Sequence, residues 1–237
     1  MAGAAARTPL VLLPGLLCDD ALWRHQLDAL SDCADCLVPD LRSQDSVAAM
    51  ARAALDLAPD RFALAGLSMG GYVAFEVLRQ ASARVTRLAL IDTKARPDTP
   101  DETRRRRGLL ALAEKGRFKG VTPRLLPLLI DEARLDDAAL TDEIIAMAAR
   151  IGRDGFLNQQ RAILGRPDSR PTLATIDCPT LILCGRQDAL TPIADHEEMA
   201  AGIPHAAYQV IEDCGHLAPL ERPGAVTAAM RVWLTEA

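Results

Sequence analysis

The stretch that decides the fold is Phe62-Ala-Leu-Ala-Gly66-Leu67-Ser68-Met69-Gly70-Gly71-Tyr-Val-Ala-Phe75. It reads as a strand, a tight turn and a helix, with Ser68 at the apex. Glycine two residues to either side of the serine lets strand and helix approach without a side-chain clash. Such a turn holds its serine in a strained conformation, with the hydroxyl at the top of a sheet. The Met69 N–H, at the start of the helix, is free to donate to an oxyanion.

Outward from this turn, short apolar runs recur at 10–13, 37–38, 88–91, 181–184 and 208–211, each bounded by Pro, Gly or Asp. Helical stretches at 46–57, 69–80, 196–201 and 225–235 alternate with them, which is the pattern of βαβ units on a parallel sheet. From 94 to 171 the strands stop. That region reads as helices over 101–115, 124–131, 138–151 and 155–164; in the third, Leu140, Ile144, Met147, Ala148 and Ile151 share one face. The expected architecture is α/β: a mostly parallel sheet flanked by helices, with a core of 1–93 and 172–237 and a helical cap over 94–171.

A serine hydroxyl needs a base, and the base needs an orienting carboxylate. Of four histidines, His216 in Glu212-Asp-Cys-Gly-His216-Leu-Ala-Pro follows the last strand, where a loop brings it over the serine. His25, His196 and His205 read as surface positions. Asp188, in Gly185-Arg-Gln-Asp188-Ala-Leu-Thr-Pro192, sits in a turn at a strand's C-terminal end, the edge where open α/β sheets keep ligands. Asp92, ending the preceding strand, competes for the same role.

The order Ser68, Asp188, His216 is the nucleophile–acid–base order of the α/β-hydrolases. The chain resembles a small esterase- or lactonase-like member of that family over nearly its whole length. The matching pieces are Leu12-Leu-Pro-Gly15-Leu16, Val38-Pro-Asp40-Leu-Arg42, the turn at Ser68, the Asp188 turn, and Gly215-His216 followed by Glu221-Arg-Pro. The resemblance implies a Ser68–His216–Asp188 triad and an oxyanion hole from the Leu16 and Met69 amides. The family's His-Gly in the first loop is Pro14-Gly15 here, and its first two strands are missing from the pattern. Dehalogenases and epoxide hydrolases of this fold resemble one another in using Asp at the apex, so Ser68 points instead to carboxylesters, lactones, thioesters and some C–C bonds. The expected reaction is hydrolysis of a small or medium acyl ester through an acyl-enzyme. A thioesterase, or an ester hydrolase on a coenzyme A- or carrier-protein-linked anionic acyl group, is the alternative. A non-catalytic binding protein on the same fold is the third. Trp23, Phe118 and Phe156 are the candidate substrate contacts.

Composition fits an ordinary globule: 237 residues, 49% hydrophobic, 25% charged, net charge −5. That balance argues against a nucleic-acid partner. No apolar run reaches the roughly 18 residues that span a bilayer, so no membrane partner is expected. Arg7, the run 10–17 and Cys18 imitate a lipoprotein signal, but Pro14-Gly15 interrupts it and Leu17 is too large for the cleavage position. Cys33-Ala-Asp-Cys36 has no partner pair, so no metal is expected, and the reaction implies no cofactor. Six unpaired cysteines fit a cytoplasmic location. Residues 94–126 hold ten basic against four acidic side chains, including Arg104-Arg105-Arg106-Arg107, whose four directions about a helix cannot all serve one site. A basic cap on an acidic core would draw in an anionic or carrier-linked substrate.

Overall fold

A computed structural model describes residues 7–235; the alanine-rich first six lie outside the described residues. Its sheet has six strands: β1 (Thr8–Leu13), β2 (Ala34–Leu37), β3 (Phe62–Leu67), β4 (Val85–Ile91), β5 (Thr180–Gly185) and β6 (Ala207–Ile211). They pair in the order β2-β1-β3-β4-β5-β6, every pair parallel. Parallel neighbours require crossovers, and helices supply them. α1 (Arg24–Ala29) joins β1 to β2, α2 (Val47–Leu57) joins β2 to β3, and α3 (Met69–Ala81) joins β3 to β4. α4 (Pro100–Glu114), α5 (Ala138–Leu164) and the one-turn α6 (Arg170–Leu173) lie between β4 and β5. α7 (Ile193–Gly202) joins β5 to β6, and α8 (Ala218–Glu221) and α9 (Pro223–Thr235) follow β6.

Helices on both faces explain why the central strands read as unbroken apolar runs. Along β1, Leu10 and Leu12 enter one core layer with Leu22, Trp23, Val226 and Met230. Val11 and Leu13 enter the other, with Met50, Val73, Phe75 and Met199. That alternation is the period of two that a strand imposes. β2 is one of the two edge strands and only partly buried, so its alternation is weak; it ends at Leu37, one residue before the expected run ends, and starts at Ala34.

The segment between β4 and β5 contains no strand among the described residues. α4 begins in a capping box, in which Thr99 accepts from Glu102 N–H and Glu102 accepts from Thr99 N–H, with Pro100 in the first turn. The helix expected over 124–131 is a 3-10 segment, Pro123–Leu128, because Pro127 interrupts any α-helical ladder there. The helices expected at 138–151 and 155–164 are one element broken at Gly152, whose φ of 70° and ψ of −176° no helix accommodates. The face of Leu140, Ile144, Met147 and Ala148 packs into the first core layer. No helix among the described residues is long and apolar enough to cross a membrane.

Candidate active site

β3 and α3 meet so closely at Ser68 that only glycine fits beside it. A Cβ on Gly66 would stand 2.4 Å from Gly70 O, and one on Gly70 would stand 2.1 Å from Leu13 O. Ser68 itself has φ 53° and ψ −114°, outside the regions an L-residue normally occupies. It is held there by its N–H donating to Ile91 O and its carbonyl accepting from Thr93 Oγ1.

The turn after β5 and the loop after β6 converge over this serine. His216 Nε2 lies 2.8 Å from Ser68 Oγ. His216 Nδ1 lies 2.8 Å from Asp188 Oδ2. Asp188 also accepts from Leu190 N–H, Thr191 N–H and, at 2.6 Å, the Thr191 hydroxyl. Burial alone would push its carboxyl upward. His216 and the Thr191 donors outweigh that and hold it below the usual carboxylate range. An acceptor carboxylate behind Nδ1 leaves Nε2 facing the hydroxyl, the tautomer that takes a proton from serine.

The loop that carries His216 is fixed from three sides. His216 N–H donates to Leu129 O of the insertion. Gly215 N–H donates to Glu221 Oε1, and Ala218 N–H donates to Asp92 Oδ2. Asp92 Oδ1 accepts from Gly185 N–H, at the root of the turn that carries Asp188. Asp92 therefore ties the turn that carries Asp188 to the loop that carries His216 and makes no hydrogen bond to the imidazole among the described residues. Burial, then the neighbouring Asp188 charge, push its carboxyl well above the ordinary range. Burial likewise raises Glu221, against the pull of three backbone N–H groups.

The first loop passes alongside. A Cβ on Gly15 would stand 3.5 Å from Ser68 Cβ. Neither the Leu16 nor the Met69 N–H has an acceptor among the described residues, and Met69 opens its helix, where no intrahelical partner exists. Beside Leu16 and Leu17 lie Phe118 and Phe156, ring centroids 5.1 Å apart. Trp23 does not join them: it is fully buried in the first core layer and has no surface left to line a pocket.

His196 also corrects the sequence expectation. It is fully buried, accepts the Thr93 N–H at Nε2, and lies 3.3 Å at Nδ1 from Pro192 O. Burial pushes it down to about 4. Its position at i, i+3 and i+7 with Met199 and Ile203 was the available signal. His205 is exposed and His25 partly so. Asp92, Cys184 and His196 lie close enough to suggest a metal site. However, both Asp92 oxygens and His196 Nε2 already accept backbone N–H bonds, which leaves the donor set poorly suited to an ion.

Sheet order, elbow and chain order together are those of an α/β-hydrolase, and residues 10–230 match the Alpha/beta hydrolase family. The chain belongs to that family. Among solved structures it is similar to a thermophilic esterase from Thermogutta terrifontis, described with malate bound: 34% identity, 98% of this chain and 90% of that one covered, TM-score 0.89. It is 26% identical to a pimeloyl-[acyl-carrier protein] methyl ester esterase of Aliivibrio salmonicida, over 87% of this chain and 84% of that protein. It is 30% identical to 3-oxoadipate enol-lactonase 1 of Acinetobacter baylyi, over 67% of this chain and 58% of that one.

Proposed function

We propose that this protein is a serine hydrolase of carboxylic esters that works through an acyl-enzyme. The observation that carries the reading is the continuous line from Ser68 Oγ through the His216 ring to Asp188, both contacts 2.8 Å, on a strained turn. Ser68 Oγ attacks the ester carbonyl as His216 Nε2 takes its proton. Asp188 stabilises the imidazolium, and the Leu16 and Met69 N–H groups receive the oxyanion. His216 then gives its proton to the leaving alkoxide and deprotonates the water that attacks the acyl-enzyme; the bond from the acyl carbon to Ser68 Oγ breaks, His216 returns the proton to Ser68, and the carboxylic acid leaves. The esterase and lactonase relatives support this class. An intact triad in mutual hydrogen-bond contact counts against a binding-only protein. The insertion acts as the cap, with Phe118 and Phe156 beside the oxyanion loop as acyl or alcohol contacts. All six cysteines are unpaired, which supports a cytoplasmic location. The test is labelling by a fluorophosphonate together with a panel of p-nitrophenyl esters, lactones and acyl-thioesters. Turnover of the esters that vanishes in Ser68→Ala is expected; labelling that persists in that variant overturns the assignment.

A second reading, an anionic or carrier-linked acyl substrate, is favoured by the surface of α4. Arg106 is paired with the buried Asp98 and with Gln160, whereas Arg104 pairs with Asp101 on the open surface. Arg105 and Arg107 are exposed and have no ion pair among the described residues. Leu109 and Leu112 are 44% and 45% exposed and share a helix face with Arg105. An unpaired Arg105 beside two exposed leucines on one face, with Arg107 on another face of the same helix, suits a carrier-linked anionic substrate; an acyl-carrier protein appears in the Aliivibrio relative's name. Changing Arg105 and Arg107 to Ala lowers kcat/KM for an acidic ester at low salt and spares a neutral one; equal effects on both overturn it.

A further inference from the structure

We infer that Gln159 is a positioning residue of the oxyanion loop, reaching down from the insertion to fix the turn that presents the Leu16 N–H. The inference rests on the serine-hydrolase reading above. Gln159 lies on α5, seven residues past the break at Gly152, and is fully buried. Its Oε1 accepts the Leu17 N–H at 2.9 Å, across 142 residues of sequence. The orientation of the amide follows from that bond: turned over, it would set an NH2 donor against an N–H donor.

Leu17 is where the loop needs help. Its φ is +60°, the left-handed region that a non-glycine residue enters at a cost. The turn is closed by Cys18 N–H donating to Gly15 O. With the Leu17 N–H claimed by Gln159 and the Cys18 N–H by Gly15, the Leu16 N–H is left without an acceptor, beside Ser68. The N–H that Gln159 holds belongs to the Leu16–Leu17 peptide, which joins at Leu16 Cα the peptide carrying the Leu16 N–H; once freed, the first turns about Leu16, the second shifts with it, and one oxyanion donor moves out of place.

The other end of the side chain supports the assignment. Gln159 Nε2 is buried without an acceptor among the described residues. A leucine or methionine of similar volume would fill the space and leave no amide unpaired. The bond to the Leu17 N–H is thus the one polar contact that a glutamine makes here and a hydrocarbon does not. Phe156, one turn earlier on the same face of α5, packs near Leu16 and Leu17, so the insertion grips the loop through both an apolar and a polar contact.

The test is Gln159→Met, measured with a p-nitrophenyl ester and with a trifluoromethyl ketone. The ketone's hemiketal with Ser68 places an oxyanion in the hole. Active-site titration with a fluorophosphonate normalises kcat to folded enzyme, so loss by unfolding is not read as loss of positioning. Removing an oxyanion donor outright costs about 10²–10³ in kcat, and a displaced one part of that. We expect kcat to fall about 10- to 100-fold, KM to stay within about twofold, and the ketone's affinity to fall in step with kcat/KM. Unchanged kcat and ketone affinity overturn the inference. So does a raised KM with unchanged kcat, which would make Gln159 a substrate contact. Failure of the unmutated protein to react with the fluorophosphonate would instead overturn the serine-hydrolase reading beneath it.

Discussion

Asp92 and Asp188 lie at the ends of neighbouring strands, and exchanging each for Asn separates their roles. Asp188→Asn removes the acceptor behind His216 Nδ1 and favours the wrong imidazole tautomer. The expected loss in kcat is about 10⁴-fold, or about 5.4 kcal/mol of transition-state stabilisation. Asp92→Asn keeps one acceptor oxygen but sets an NH2 against the N–H of Gly185 or Ala218. One lost hydrogen bond and two buried donors set against each other cost at least about 1–3 kcal/mol of stability. The catalytic line remains, so kcat falls by less than roughly 100-fold, the cost of a small misplacement. The pH dependence of stability differs in sign. The Asp92 carboxyl is raised, so the folded chain holds a proton that the unfolded chain releases above about pH 4. Its contribution therefore falls as pH rises, and the stability gap between the parent and Asp92→Asn narrows from about pH 4 toward 8. The Asp188 carboxyl is lowered, so its contribution is present above about pH 3.9 and lost as pH falls below it. The assay is steady-state ester hydrolysis with urea denaturation at pH 4, 6 and 8. A 10⁴-fold loss in Asp92→Asn, with Asp188→Asn nearly active, would refute the assignment of the acid.

Ser68→Ala should abolish fluorophosphonate labelling and leave the thermal midpoint within a few degrees, since only the hydroxyl is removed. Gly70→Ala should fail to fold or lose several kcal/mol, because its Cβ would stand 2.1 Å from the backbone of β1; a soluble, active variant would show that the elbow is looser than drawn. His196 is pushed down to about 4, so the unfolded chain takes up a proton between about pH 6.5 and 4 that the folded chain does not. This histidine should therefore remove about 3 kcal/mol of stability on acidification across that window, a slope that His196→Gln flattens in a denaturation series.

The turn at Ser68, the central strands and the helices between β4 and β5 are legible in the sequence because each rests on a local pattern. β3 and β5 are buried on both faces and read as continuous apolar runs. β2 is an edge strand with mixed exposure, so its start depends on pairing with β1 and not on its own residues. Trp23 shows a different limit. An aromatic residue near a site loop carries no mark that tells core from pocket, and here the first core layer claims it. Gln159 was invisible for a related reason: its partner is 142 residues away, and only the folded insertion brings the two together.

Three buried acids surround the loop that carries His216, and residue type alone does not rank them. Asp92, Asp188 and Glu221 each accept backbone N–H groups, and burial pushes each upward. What separates Asp188 is the company of a group able to carry positive charge and of a hydroxyl donor, His216 and Thr191. Those contacts reverse the effect of burial for Asp188 alone. Asp92 and Glu221 have only amide donors, whose downward pull does not outweigh burial, and their carboxyls stay raised. This arrangement suits the chemistry proposed for the site. The acid held below the ordinary range is the one behind His216, where its charge stabilises the imidazolium, while burial works against charge on the two neighbouring carboxyls. The neighbours thus act as brackets: Glu221 holds Gly215, and Asp92 holds Ala218 and Gly185, so that the imidazole between them meets both Asp188 and Ser68 at hydrogen-bond distance.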